Sequence, residues 1–210
     1  MPLQPLPLAA DPSPLPPAVG TFLVAAAAAT DAALGRPASG RSSGFHPSDY
    51  ELVYRGLAAL RTAVPDARTF CEWGSGLGVV AGLAAWLGYD AYGIEIDGGL
   101  CTASRALLAA HRLRAQIVHG SFVPADQEPD RRASDLDART VWSGPSAYDD
   151  MDRDPDEFDV VFAYPWPAEE DLYRALFRRS ADYGAVFVTY SGGEGVRAWR
   201  KVVGRAAGRR

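Results

Sequence analysis

Lysine occurs once in the 210 residues, at Lys201, and cysteine only twice, at Cys71 and Cys101. Two cysteines make no disulfide framework. Cys71 falls in a predicted strand end and Cys101 in a predicted helix, so a reduced, cytoplasmic protein is expected. Basic charge is also in short supply, with 21 Lys and Arg against 26 Asp and Glu, a net charge of −5. A chain that grips nucleic acid through phosphates usually carries a basic face. Here only the stretch from Arg197 to Arg210 is locally basic, too short to support such a partner. No apolar run reaches the ~20 residues that span a bilayer. The alanine-rich stretch Thr21 to Thr30 follows proline-rich sequence without a basic region, so it reads as a packed helix rather than a leader or span. His111 and His119 have no metal-ligand spacing with each other or with a cysteine, so no metal site is expected.

What is present is an ordinary globular composition, 48% hydrophobic and 22% charged, with length for one α/β domain and an extension. Residues 1–46 form the extension: an arm with seven prolines in its first 19 residues, then a helix from about Thr21 to Leu34. Residues 47–210 form the main domain. Its first helix, 48–63, carries an apolar stripe of Tyr50, Leu52, Val53, Leu57 and Leu60. Strands are then predicted at 69–72, 91–96, 115–119, 159–163 and 184–190, with helices at 79–87, 100–111 and 169–179. This alternation predicts a Rossmann-like, doubly wound, mostly parallel sheet with helices on both faces. Residues 123–157 interrupt it, holding eleven acidic residues against four arginines. That composition reads as a long solvated loop, an insertion or a lid over the ligand crevice. The last 20 or so residues look helical and basic, so the sheet either stops at five strands or takes an edge from elsewhere.

The chemistry concentrates where the first strand meets its helix, in Glu72-Trp73-Gly74-Ser75-Gly76-Leu77-Gly78. Gly74 and Gly76 let the backbone turn sharply against a ligand, and Gly78 lets the helix pack near the strand. The helix N-terminus then offers free N–H groups. Glu95 lies 19 residues beyond Gly76, close to the ~20 expected of an acid that holds ribose hydroxyls. A nucleoside ligand follows, and this much does not choose between S-adenosylmethionine and NAD. Trp73, inside the turn, reads as a packing residue.

The run Phe70-Cys71-Glu72-Trp73-Gly74-Ser75-Gly76-Leu77-Gly78, followed by Tyr92-Gly93-Ile94-Glu95-Ile96-Asp97, resembles the first two motifs of class I S-adenosylmethionine-dependent methyltransferases. The glycine motif of that family opens with an acid, as at Glu72. Nicotinamide-binding folds more often read G-x-G-x-x-G, and here Val79 stands at the last position. The resemblance runs from about residue 48 to 190. It implies S-adenosylmethionine as cofactor, with Glu72 near the methionine amino group and Gly74, Ser75, Gly76 and Gly78 along the methionine portion. It further implies that Glu95 holds the ribose, Ile96 flanks the adenine and Ser121 makes a contact near it. Ala163-Tyr164-Pro165-Trp166 occupies the place of the (Asp/Asn)-Pro-Pro-aromatic motif of amino-group methyltransferases. It lacks the amide or carboxylate and the first proline, which argues against nucleobase or glutamine acceptors. Tyr164, Pro165 and Trp166 still fall where an acceptor lies, and Tyr164 is the candidate catalytic residue. Phe45, His46, Tyr50 and Tyr54 stand where they could close over the cofactor.

The sequence singles out no general base, which counts little against methyl transfer because the cofactor supplies the driving force. The expectation is a methyltransferase whose acceptor is a small molecule or a protein side chain rather than nucleic acid, with no membrane partner. The alternatives are a non-catalytic S-adenosylmethionine-binding module and an NAD-dependent oxidoreductase. Against the latter stand the missing third glycine and the absence of a Tyr-x-x-x-Lys pair.

Overall fold

The computed structural model describes residues 2–9, 12–35, 45–127, 140–192 and 195–203. Its frame is a seven-stranded sheet. In chain order the strands are β1 (Leu3–Leu6), β2 (Thr69–Trp73), β3 (Asp90–Glu95), β4 (Gln116–His119), β5 (Val160–Ala163), β6 (Val186–Tyr190) and β7 (Val196–Lys201). They lie side by side in the order β1-β7-β6-β5-β2-β3-β4. The five central strands are mutually parallel, and β7 runs antiparallel to both β6 and β1. The Rossmann-like, mostly parallel sheet read from the sequence is thus present. Its strand order reverses at β2, between β5 and β3, which is where such sheets open a crevice.

Alternation along the strands splits the core in two. Phe70 on β2, Phe162 on β5 and Val188 on β6 point into one cluster, shared with helices α1 (Pro17–Leu34), α2 (Tyr50–Ala63), α3 (Val79–Trp86) and α4 (Gly98–Ala110). Cys71, Trp73, Val161 and Phe187 point into the other, under helix α6 (Glu170–Ser180). Asp49 caps α2 by accepting from the Leu52 N–H, and Asp97 caps α4 by accepting from Gly99 and Leu100. Helix α3 is buried nearly all round, which its unbroken apolar sequence requires.

Three expectations change. The first arm is not wholly free of the body: Leu3 to Leu6 pair with Lys201 to Ala198 as β1. Pro5 is tolerated because β1 is an edge strand, where a missing N–H leaves no ladder unpaired. The chain after β6 is a strand rather than a helix. Ser191 and Gly195 turn it back in a hairpin, with the Ser191 N–H donating to the Gly195 carbonyl at 3.1 Å. Sheet pairing on both sides, to β6 and β1, outweighs helix propensity in a segment this short.

The acidic segment is in part a folded layer. Trp142, Ala147, Tyr148 and Met151 are buried, Tyr148 and Met151 in the short helix α5 (Tyr148–Met151). The Trp73 indole N–H donates to the Tyr148 hydroxyl at 2.9 Å inside the second core cluster. The acids are tolerated because they fall between these apolar anchors: Asp149, Asp150 and Asp152 are exposed. Residues 128–139 of this segment lie outside the described residues. Helix α1 begins at Pro17, four residues before the expected start, with proline in its first turn as helices favour. It is long and apolar enough to cross a membrane by length and composition, and it buries Val19, Phe22, Ala26 and Thr30 as a stripe against the body.

Candidate functional site

A cavity of about 750 Å³ opens at the carboxyl ends of the central strands, within the roughly 300–1,000 Å³ of small-molecule clefts. Its floor is the glycine turn. Gly74 and Gly76 adopt φ of 72° and 54°, the left-handed region that favours glycine. At Gly76 there is also no room for a side chain, because a Cβ would stand 2.7 Å from the Phe45 ring. Phe45, reaching over from the chain before α2, therefore covers the turn closely.

Two carboxylates flank that turn. Glu72, on β2, is 5% exposed and accepts the Ala81 N–H of α3 at 2.8 Å. Burial raises its carboxyl well above the usual range, the Ala81 N–H opposes the shift, and the charge of Glu95 adds to it. Glu95 ends β3 and is 7% exposed. Its two oxygens accept the Gly76 N–H at 2.7 Å and the Asp97 N–H at 2.8 Å. Burial raises this carboxyl too, against the pull of those two backbone donors. Neither acid is ion-paired among the described residues. The cavity thus holds two buried carboxylates that oppose one another and, among the described residues, have no cation beside them.

The remaining sequence candidates gather round the same space. Ser75 lines it with a buried hydroxyl that has no hydrogen-bond partner among the described residues. Ile96 and Ser121 line it as well, the Ser121 hydroxyl accepting the Val123 N–H. Tyr164, Pro165 and Trp166 form the wall beyond β5. Burial and the neighbouring Tyr190 push the Tyr164 phenol up. Gly78 is the exception: it does not line the cavity, and a Cβ there would meet Ile117 at 2.9 Å and Ser104 at 3.2 Å. Its smallness serves the packing of α3 against α4 and β4. Trp73 does pack, stacked on Phe122 with centroids 5.4 Å apart.

Sequence reasoning missed the far wall. Glu170, Ser191 and Arg197 line it, and Glu170 accepts from Arg174 at 2.7 Å and from Arg197 at 3.1 Å. A signal was available: a glycine-rich run, Ser191 to Gly195, after a predicted strand has the composition of a hairpin connection, and β7 brings Arg197 back to the crevice. The sequence placed His46 over the cofactor but not against the wall beyond β5. Its ring lies 5.7 Å from that of Tyr164 and 5.6 Å from that of Trp166. Among the described residues no group of three or more His, Cys, Asp or Glu is placed to hold a metal ion.

No family model matches the sequence, and neither does any curated protein. Solved structures do match in fold. An RNA methyltransferase from Salinibacter ruber, in complex with S-adenosyl-L-homocysteine, superposes with TM-score 0.51 at 16% identity, over 79% of this chain and 98% of that one. A hypothetical protein from Thermus thermophilus gives 0.50 at 19% identity, over 80% and 91%. A cofactor-bound protein from MTB gives 0.50 at 20%, over 83% of this chain and 65% of that one. At these identities the likeness is one of fold: the chain has the Rossmann-like α/β fold on which the Salinibacter ruber methyltransferase is built.

Proposed function

We propose that the chain is an S-adenosylmethionine-dependent methyltransferase whose acceptor is a small molecule or a protein side chain. The observation that carries this is the pair of buried acids, Glu72 and Glu95, on either side of the glycine turn. A dinucleotide brings a pyrophosphate that needs the backbone donors of the turn and of the α3 N-terminus. Here Glu95 takes the Gly76 N–H and Glu72 takes the Ala81 N–H. A phosphate would meet carboxylates where it needs donors. A ligand bearing a sulfonium and an ammonium instead relieves the repulsion between them. The acids, the narrow turn and the cavity volume fit that group.

In this reading Glu72 faces the ammonium and Glu95 accepts from the ribose hydroxyls with its remaining lone pairs. The backbone of Gly74, Ser75 and Gly76 runs beside the methionine portion, Gly78 supports the turn, and Ile96 and Ser121 border the adenine. When bound, the cofactor supplies an activated methyl group, and what the chain adds is alignment and exclusion of water. Tyr164, with its phenol held protonated by burial, acts as a donor that orients the acceptor against Pro165 and Trp166. The net charge of −5 and the exposed acids Asp149, Asp150 and Asp152 support a small or protein acceptor over nucleic acid.

Calorimetric titration with S-adenosylhomocysteine and, separately, with NADH tests the proposal. Binding of the first and not of the second is expected. Binding of NADH alone, or of neither, refutes it.

A further inference from the structure

We propose that His46 is the base that removes the proton from the acceptor, and that the acceptor is a planar, phenol-type hydroxyl compound lying on the Tyr164–Trp166 wall. This rests on the methyltransferase reading above. Two features place His46. Its neighbour Phe45 is fixed over Gly76, where no Cβ would fit beneath the ring. His46 itself contacts both Tyr164 and Trp166 at the end of β5, on the wall that faces the cavity. The same short segment therefore touches the glycine turn through one residue and the acceptor wall through the next.

The charges at this end of the cavity choose the kind of acceptor. Glu170 from α6 is held by Arg174 and Arg197, leaving one net positive charge for the three. The other carboxylate at this end, Glu169 beside Trp166, is buried behind the wall, accepts the Thr140 N–H and does not line the cavity, and Ala163 offers no side-chain acceptor. A flat, neutral or anionic molecule is favoured instead, stacked on Trp166 and Tyr164. A hydroxyl is a poor nucleophile until its proton leaves, so such an acceptor needs a base.

The other titratable groups near His46 do not serve. Burial holds the phenols of Tyr164 and Tyr173 protonated, and pushes that of Tyr50, at the start of α2, up to about 12. Asp49 is engaged as the α2 cap, and Arg197 from β7 is a cation. Imidazole is the side chain that exchanges protons near neutrality. In the step, the hydroxyl oxygen forms a bond to the methyl carbon as the carbon–sulfur bond breaks. The sulfur keeps that electron pair and becomes a neutral thioether. The hydroxyl proton passes to the imidazole, and His46, being exposed, returns it to water.

The test uses the full chain, wild type and His46→Gln, with catechol, 4-hydroxybenzoate and quercetin as hydroxyl probes and 4-aminobenzoate as the matched amine. Transfer to at least one hydroxyl probe and not to the amine is expected. His46→Gln should lower kcat by about 100-fold or more. It should also abolish the acid limb of the pH profile, while S-adenosylhomocysteine affinity stays within about threefold. Independently of turnover, the His46 ring signal in NMR spectra of the protein loaded with S-adenosylhomocysteine should shift on addition of a hydroxyl probe. Preference for the amine, an unchanged pH profile in His46→Gln, or no transfer to any hydroxyl probe by protein that binds S-adenosylhomocysteine overturns the proposal. Failure to bind S-adenosylhomocysteine overturns the cofactor reading instead.

Discussion

Replacing Glu72 with glutamine should weaken cofactor binding while leaving the fold as stable or more so. The carboxylate is 5% exposed, lies in the field of Glu95, and has no ion-pair partner among the described residues. Glutamine keeps a carbonyl oxygen for the Ala81 N–H, so the hydrogen bond that seats the side chain survives. What is lost is the charge. Because burial raises the folded carboxyl above its unfolded value, its favourable contribution is fully present below the unfolded value and is lost as pH rises through the folded one. The wild type should thus lose stability relative to Glu72→Gln as pH rises from acid, above the unfolded carboxylate range, into the mildly alkaline range. Binding moves the other way, since a hydrogen bond from the ligand ammonium to a carboxylate is worth about 1.5–3 kcal/mol. Its loss weakens S-adenosylhomocysteine binding about 10- to 150-fold. Thermal unfolding at acid, neutral and mildly alkaline pH, paired with calorimetry, reads both effects. A variant that binds as tightly as wild type, or that unfolds several degrees lower at alkaline pH, refutes the reasoning.

Glu95→Ala should abolish measurable nucleoside binding. In the wild type, affinity for S-adenosylhomocysteine should fall on acidification above the ordinary glutamate value of about 4.3, because burial raises this carboxyl; an affinity flat from neutral to mildly acid pH counts against it. Tyr148→Phe leaves the Trp73 indole N–H unpaired inside the second core cluster, a cost of about 1–3 kcal/mol read by urea unfolding. An unmoved midpoint would mean that the 140–158 layer does not hold that contact in solution. Deleting residues 1–8 removes β1 and bares the outer edge of β7, so a lower Tm and concentration-dependent aggregation are expected. Equal Tm and monodispersity at high concentration would remove β1 from the stable sheet.

The parts of this protein that were legible in its sequence are the local ones. The turn from β2 into α3 is written in seven consecutive residues, and Glu95 ends the very next strand, so spacing alone located both. The sheet edge was not legible, because Leu3–Leu6 and Val196–Lys201 pair across nearly the whole chain and neither is a strong strand on its own. The acidic stretch misled for a related reason. Its composition is that of a solvated loop, yet Trp142, Tyr148 and Met151 are enough to dock it once Trp73 and Phe122 offer a surface. Likewise the sequence set His46 only among residues that could close over the cofactor; it is the chain leaving β5 that brings Tyr164 and Trp166 against its ring.

Even at the legible site, the motif and the structure make different arguments. By sequence, the choice of S-adenosylmethionine over a dinucleotide rested on a glycine count and an acid before it. In the fold, it rests on which groups hold the backbone donors. Glu95 takes the Gly76 N–H and Glu72 takes that of Ala81, so the N-terminus of α3 is already supplied with negative charge. A third glycine at position 79 would not reopen it to a pyrophosphate. On the proposed reading, exchanging both carboxylates for neutral side chains should admit a pyrophosphate, read as NADH binding by the Glu72→Gln, Glu95→Gln double variant; no NADH binding by that variant refutes the charge argument.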